Sequence, residues 1–445
     1  MFSLTAVGQV TFSTYPPDAP LPFTASVLTD NQVITSIATA GIGGSILNLT
    51  QSQPYTTTSS LPIWKYRTIA GQNRDYYSGY IVGSDPTLAW STTVSVPVVP
   101  VIVKVVSEEI TWTFDPTQPD NACLPAGRTA SSLFFDSPLF TQMNWTMNGQ
   151  FIPSTQYLDA EVRSEFWNYP GFAGQFAQRL NLAPTQFPPL VITVNGPLLW
   201  DRLGRECGGV PSLVNTTNPP SAQGYVPYVL SYGPWLTLDD LITQYVDTHE
   251  ILTSQFPVFL LYKTIIAFPF EEEVGSDAGG GIAYGIHTVT WDGHTYAIAD
   301  FEENDFFGVH VLDTTAPSHE MGEWLHDPFV TPWGWQANMT PPYGDTPDQP
   351  WCQNDFEVAD PLNGTLITAT YNAFTYHLNE LAYFDWFYGG NSSTTPGVYH
   401  SLYGAGGLYS SNGTFTQPAT LCGRGAPVIP DSRPMKPARA EGAKR

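Results

Sequence analysis

Residues 318 to 328 read Ser-His-Glu-Met-Gly-Glu-Trp-Leu-His-Asp-Pro and hold the densest chemistry in the chain. His319 and Glu323 are four residues apart, a spacing that puts both on one face of a helix. An imidazole nitrogen and a carboxylate oxygen can converge there on one divalent cation. Glu320 stands beside the histidine, placed to take a proton from water as a general base. The zinc-peptidase pattern His-Glu-x-x-His works by this geometry. Here Glu323 replaces the second histidine, so the pattern is His-Glu-x-x-Glu.

A catalytic zinc site needs a third protein ligand, usually from a separate element. The segment from Cys352 to Pro361 offers Glu357 and Asp360. The expected metal set is therefore His319, Glu323 and Glu357, with Asp360 and Asp327 behind them as orienting partners. His377 is a further candidate, as a donor that stabilises a tetrahedral intermediate. Trp324, Trp333, Trp335 and Trp351 can line a substrate cleft or pack the following loop. One histidine with two glutamates makes a hard, anionic site, open to zinc but also to manganese, iron or calcium. The same residues admit plainer roles. Carboxylates near a helix start are favoured by its dipole. Glu323 can lie on a solvated face, Asp327 can end the helix, Glu357 can precede a turn, and His377 can be structural.

Taken together, Ser-His-Glu-x-Gly-Glu-Trp-x-x-Asp-Pro, then Cys-Gln-Asn-x-x-Glu-Val-x-Asp-Pro, then Tyr-His-x-x-Glu-Leu-Ala resembles secreted, zincin-like metallopeptidase-like proteins of fungi and soil bacteria. The resemblance extends over roughly residues 95 to 410. It implies a shared fold and a joint role for the three motifs. In gluzincin peptidases a downstream glutamate is the third ligand and a nearby aspartate orients a ligating histidine, the places Glu357 and Asp360 would take. The chain departs from that plan in its single motif histidine and its closer Glu-to-Asp spacing.

The elements that must position these groups follow from periodicity. Residues 1–94 are rich in Thr, Ser, Val, Gly and Pro, with β-branched runs at Val33–Ala38 and Gly79–Val82, and read as a β-rich segment. Val94–Val106 reads as one or two buried strands. Gln156–Asn168 and Leu236–Leu252 have helical spacing, the second opened by Asp239 and Asp240. Pro189–Val194, Phe256–Phe268, Gly279–Trp291 and His294–Phe301 read as strands, the last two joined through Asp292-Gly293. The motif helix comes next, with Ser318 as its expected N-cap and Asp327-Pro328 as its stop. Residues 329–355 read as a long loop, Leu366–Phe374 as a strand and Tyr376–Tyr388 as a helix. The expected fold is α+β, with a zincin-like mixed sheet and a metal-site helix. Its domains are 1–94, a catalytic 95–425 and a disordered basic tail, 426–445.

Composition narrows the function. The 445 residues carry 16 Lys plus Arg against 40 Asp plus Glu, a net charge of -24, which opposes nucleic acid as a partner. No apolar run is long enough for a membrane helix. All eight histidines lie at or after His249, so acid–base or metal chemistry belongs to the second half. Cys123, Cys207, Cys352 and Cys422 are too dispersed for a thiolate metal site and suit disulfides. Asn-x-Ser/Thr sites begin at Asn48, Asn144, Asn215, Asn338, Asn363, Asn391 and Asn412. Acidity, cysteines and glycosylation sites agree on a secreted glycoprotein, although a signal peptide is not evident in the opening residues. No Gly-x-Ser-x-Gly is present, and Ala278–Ile282 reads as a turn rather than a phosphate cradle. The expectation is a secreted zinc endopeptidase acting on peptide or protein. The alternative is a non-enzymatic glycan- or cell-wall-binding protein with a structural or relic metal site. Acid glycoside hydrolysis is a third reading, but the sequence defines no carboxylate pair for it.

Overall fold

The computed structural model describes residues 60–70, 75–84, 91–106, 111–147, 150–166, 179–195, 235–268, 281–302, 311–329, 339–343 and 353–387. Within these ranges 122, 291, 363 and 383–385 are left out, and a few short strand pieces lie elsewhere. The run Val33–Ala38, Trp333, Trp335, Trp351 and the tail 426–445 lie outside the described residues.

Two strands, β1 (Ile63–Ala70) and β2 (Asp75–Val82), form an antiparallel hairpin. The long strand β3 (Ser91–Val106) comes after it. Next come helix α1 (Tyr157–Phe166), β4 (Arg179–Gln186), β5 (Leu190–Asn195) and α2 (Trp235–Thr248). Then come β6 (Val258–Tyr262), β7 (Gly285–Val289) and β8 (Thr295–Phe301). Helix α3 (Thr315–His326) and the hairpin β9 (Leu366–Tyr371) and β10 (Phe374–Asn379) complete the frame. The class is mixed α+β.

The main sheet has the order β4-β3-β6-β8-β7, parallel except for the edge strand β7, which runs antiparallel to β8. The far half of β3 pairs with β5 and with Thr111–Phe114 instead, so the sheet curls along that strand. Parallel strands buried on both faces need apolar residues at every position. Val-Phe-Leu-Leu-Tyr of β6 is buried throughout. Side chains alternate between faces, and the two cores obey that rule. Val94, Val96, Val98, Val258, Leu260, Val289, Ala297 and Phe301 join the core that holds α3. Val99, Val101, Val103, Phe259, Leu261, Tyr296 and Ile298 join the core that holds Ile242, Tyr245 and Val246 of α2. The sheet therefore lies between α2 and α3.

Residues Leu61, Trp64, Ile81 and Val82 of the β1–β2 region belong to the same core as α3. The strand β3 begins at Ser91 and runs through position 94 without a break. Helix α1 borders the outer strand through polar side chains. The Gln156 amide exchanges hydrogen bonds with the Leu182 backbone (2.7 and 2.9 Å), and Asp159 accepts the Leu180 N–H at 2.8 Å.

Three local expectations are corrected. The motif helix begins at Thr315, with Thr314 at its cap, not at Ser318. Pro317 is tolerated because first-turn N–H groups have no helical partner. The Ser318 hydroxyl instead donates to the Thr315 carbonyl and accepts the Asn379 N–H, both at 2.8 Å. The stretch expected as a helix from Tyr376 begins as a strand, β10. Asn372 and Ala373 have φ of 47 and 61°, the left-handed pair that closes a two-residue hairpin, so the chain turns back on β9. Within 329–355, Met339–Tyr343 and Gln353–Asp355 pair as short antiparallel strands rather than loop. Among the described residues, no helix is long and apolar enough to cross a membrane. Cys123 is disulfide-bonded, and Cys207, Cys352 and Cys422 lie outside the described residues.

The turn between β7 and β8 holds a buried ion pair. His294 Nδ1 lies 3.0 Å from Asp292 Oδ2, and its Nε2 lies 2.8 Å from the Ile251 carbonyl oxygen. Burial alone opposes both charges, but each partner outweighs it. Asp292 is held below 3.8 and His294 above 6.5. The Asp292 contribution is present above 3.8 and lost as pH falls through its lowered pKa. The His294 contribution is present below 6.5 and lost as pH rises through its raised pKa. The destabilisation caused by Asp292→Asn, read from thermal midpoints, is expected to be largest between these two values. It should shrink at alkaline pH; a pH-independent loss would contradict the pair.

Candidate metal centre

Helix α3 is almost wholly buried, which fixes its rotation. Trp324 stacks on Phe256 at 3.7 Å between ring centroids and donates its indole N–H to Thr295 Oγ1 at 3.0 Å. A Cβ at Gly322 would come within 2.8 Å of Leu381, so the glycine lets that residue approach the helix. With Trp324, Met321 and Leu325 in the core, His319, Glu320 and Glu323 face β7 and the segment 356–360.

The edge strand β7 supplies a residue that the sequence reading missed. His287 shares strand parity with Gly285 and Val289, and Val289 lies in the helix-side core, so the imidazole points toward α3. His287 Nδ1 is 3.4 Å from Glu320 Oε2 and 3.5 Å from Glu323 Oε2, and its Nε2 is 3.7 Å from Glu357 Oε2. Gly285 makes room: a Cβ there would lie 2.6 Å from Glu320 Cγ.

The segment after Asp355 brings the other carboxylates. Phe356, Val358, Ala359 and Leu362 are buried in the core, which leaves Glu357 and Asp360 toward the helix. Two i,i+4 carboxylates of α3 and its cap hold this segment by its backbone. Glu323 Oε1 accepts the Ala359 N–H at 3.2 Å, and Asp327 Oδ2 accepts the Phe356 N–H at 3.1 Å. Asp327 thus ends the helix and anchors the segment. Asp360 Oδ1 lies 3.4 Å from His319 Nε2, the nitrogen that also faces Glu323 Oε1 at 3.2 Å.

Donor atoms lie within 4.8 Å of one another inside each of two groups: His287, Glu323 and Glu357, and His319, Glu320 and Glu323. Glu323 belongs to both. Of the expected set, Glu323 meets Glu357 in the first group and His319 in the second, with His287 completing the first. His377 belongs to neither group. Its Nδ1 is hydrogen-bonded to Asp313 Oδ2, and its backbone N–H donates to Asp313 Oδ1 at 2.8 Å. Trp324 packs in the core rather than lining a cleft.

Charge is tightly managed here. Burial alone would lower His287, but hydrogen bonds and charge from Glu320 and Glu323 outweigh it and push it up to about 9. His319 is likewise raised against burial, by Glu323 and Asp360 above all. Burial would raise Glu323, yet His319 and His287 hold it well below the usual carboxylate range. Burial raises Glu320 despite both imidazoles. The surrounding carboxylates thus favour the protonated form of both histidines.

No family model, curated protein or solved structure matches the chain.

The donor set fits a divalent cation. It mixes imidazole with carboxylate oxygen, which suits zinc, manganese or iron, and its groups are nearly all buried and aimed at one another. The side chains of His287, Glu320, Glu323 and Glu357 are at most 9% exposed, while Asp360 reaches 28%, so the centre opens on the Asp360 side. Gly285→Ala is expected to displace Glu320 and lower stability by about 1–3 kcal/mol, measured by thermal denaturation. An unchanged midpoint would mean that Glu320 does not pack against β7.

Proposed function

We propose that this chain is a metal-dependent hydrolase of zincin type that cleaves peptide bonds. The observation that carries the reading is the convergence of His287, His319, Glu320, Glu323 and Glu357 at one buried seam between helix and sheet edge. His287, Glu323 and Glu357 would hold the ion, with His319 alongside through Glu323. A bound divalent cation supplies Lewis-acid character and makes water a nucleophile near neutral pH.

The chain's own groups do the rest. Glu320 is the base: burial has raised its carboxyl toward the range where a carboxylate exchanges protons efficiently. It takes the proton from water and hands it to the leaving amine. The Ala359 and Phe356 N–H groups fix Glu323 and the 356–360 segment, so the donors keep their spacing. Asp360 orients His319. His377, held by Asp313 through Nδ1, is kept in this reading as the donor to a substrate carbonyl. The order of elements supports the zincin comparison: a sheet with an antiparallel edge strand, then the helix carrying His-Glu-x-x-Glu. Acidity and the exposed Asn144 within Asn-Trp-Thr support an extracellular, glycosylated setting.

A second reading, a closed structural cation site in a secreted binding protein, draws on the near-complete burial of His287 and Glu323. One variant separates the two. In the full chain supplied with zinc, Glu320→Gln is expected to keep bound metal and the fold while peptide hydrolysis falls by about 10²–10⁴-fold. Metal content, circular dichroism and a quenched-peptide assay read the three quantities. Wild-type activity in the variant removes Glu320 as base; metal binding with no hydrolysis even in the wild type favours the structural site.

A further inference from the structure

The two oxygens of Glu323 face different histidines. Oε2 lies 3.5 Å from His287 Nδ1, and Oε1 lies 3.2 Å from His319 Nε2. Each histidine belongs to its own donor group, and Glu323 is the sole shared member of the two. Around the first imidazole stand Glu320 and Glu357, and around the second stand Glu320 and Asp360. A carboxylate that turns one oxygen to each of two donor groups has the disposition of a bridge. Oε1 also accepts the Ala359 N–H, which occupies one of its two lone-pair directions and leaves the other.

Four carboxylates, Glu320, Glu323, Glu357 and Asp360, meet at this seam with two imidazoles.

We infer that the centre holds two divalent cations bridged by Glu323, one with His287 and Glu357, the other with His319 and Glu320, and with Asp360 beside it. Carboxylate-rich pairs with one imidazole per ion suit manganese or iron as well as zinc. A bridge from a residue of the buried helix would hold the ions at fixed separation. Paired ions of this kind clamp both the attacking and the leaving atoms of a displacement. Glu320 would bind through one oxygen and keep the other for the proton. The inference rests on the metal-site reading above and adds the second ion to it.

Manganese(II) alone is the probe. The metal-free full chain is titrated with it, bound metal is counted by mass spectrometry, and the electron paramagnetic resonance spectrum is recorded. The expected result is two ions per chain with an exchange-coupled signal, since a carboxylate bridge brings the electron spins within coupling distance. Glu357→Gln and His319→Gln should each retain one ion and lose the coupling, by emptying opposite halves. One ion per chain in the wild type overturns the second ion while leaving the hydrolase reading intact. Two ions without coupling overturn the bridge. No bound ion overturns both readings. The wild-type measurements decide these outcomes even where a variant fails to fold.

Discussion

The constraint on which this structure turns is the burial of several carboxylates in one place. Glu320, Glu323 and Glu357 are removed from water at the seam between α3 and the sheet edge. Ionised carboxylates pay heavily for that unless positive charge or N–H donors meet them. His287 and His319 face them, with their protonated forms favoured by these carboxylates, and the Ala359 N–H donates to Glu323. The chain has only 16 basic residues in all, and among the described residues no Lys or Arg ion-pairs with these glutamates. Within the described residues, the charge that faces these carboxylates therefore comes from the two histidines.

The surrounding fold is what makes such a site rigid. Helix α3 is clamped on its core side by Trp324 against Phe256, and at its start by Ser318 and Thr314 to β10. Its rotation is thereby settled by packing and hydrogen bonds. The edge strand β7 is held in register against β8 by the turn with Asp292, Gly293 and His294, where Gly293 takes a φ of 98° that other residues resist. The 356–360 segment is tied to the helix and its cap by two backbone N–H groups that donate to the Asp327 and Glu323 carboxylates. Donors on three separate rigid supports need little reorganisation to receive a ligand, which is the condition for both tight binding and oriented chemistry.

Much of the frame was legible in the residues themselves. The β3 and β6 runs announce buried strands, and the spacing in 156–168 and 236–252 announces helices, which run over 157–166 and 235–248. The His319–Glu323 spacing points to a shared helix face, and the helix is there. Two local readings failed for reasons of chain direction. Ser318 looked like a cap because Pro317 precedes it, but proline also fits inside a first turn. Tyr376–Tyr388 looked helical by composition, but the left-handed pair Asn372-Ala373 closes a hairpin and commits Phe374–Asn379 to pairing with β9.

His287 shows where the sequence stops. The chain by itself specified the helix, its motif, the acidic balance and the presence of carboxylates near Asp360, because those depend on spacing and composition within short stretches. The only local sign for His287 was its parity with Val289, and parity says which face a side chain takes, not what stands opposite. That His287 meets Glu320, Glu323 and Glu357, and that Glu323 turns a different oxygen to each histidine, depends on three elements far apart in the chain packing at one depth. Only the tertiary structure decided that, since packing geometry sets which buried charges must share a neighbour.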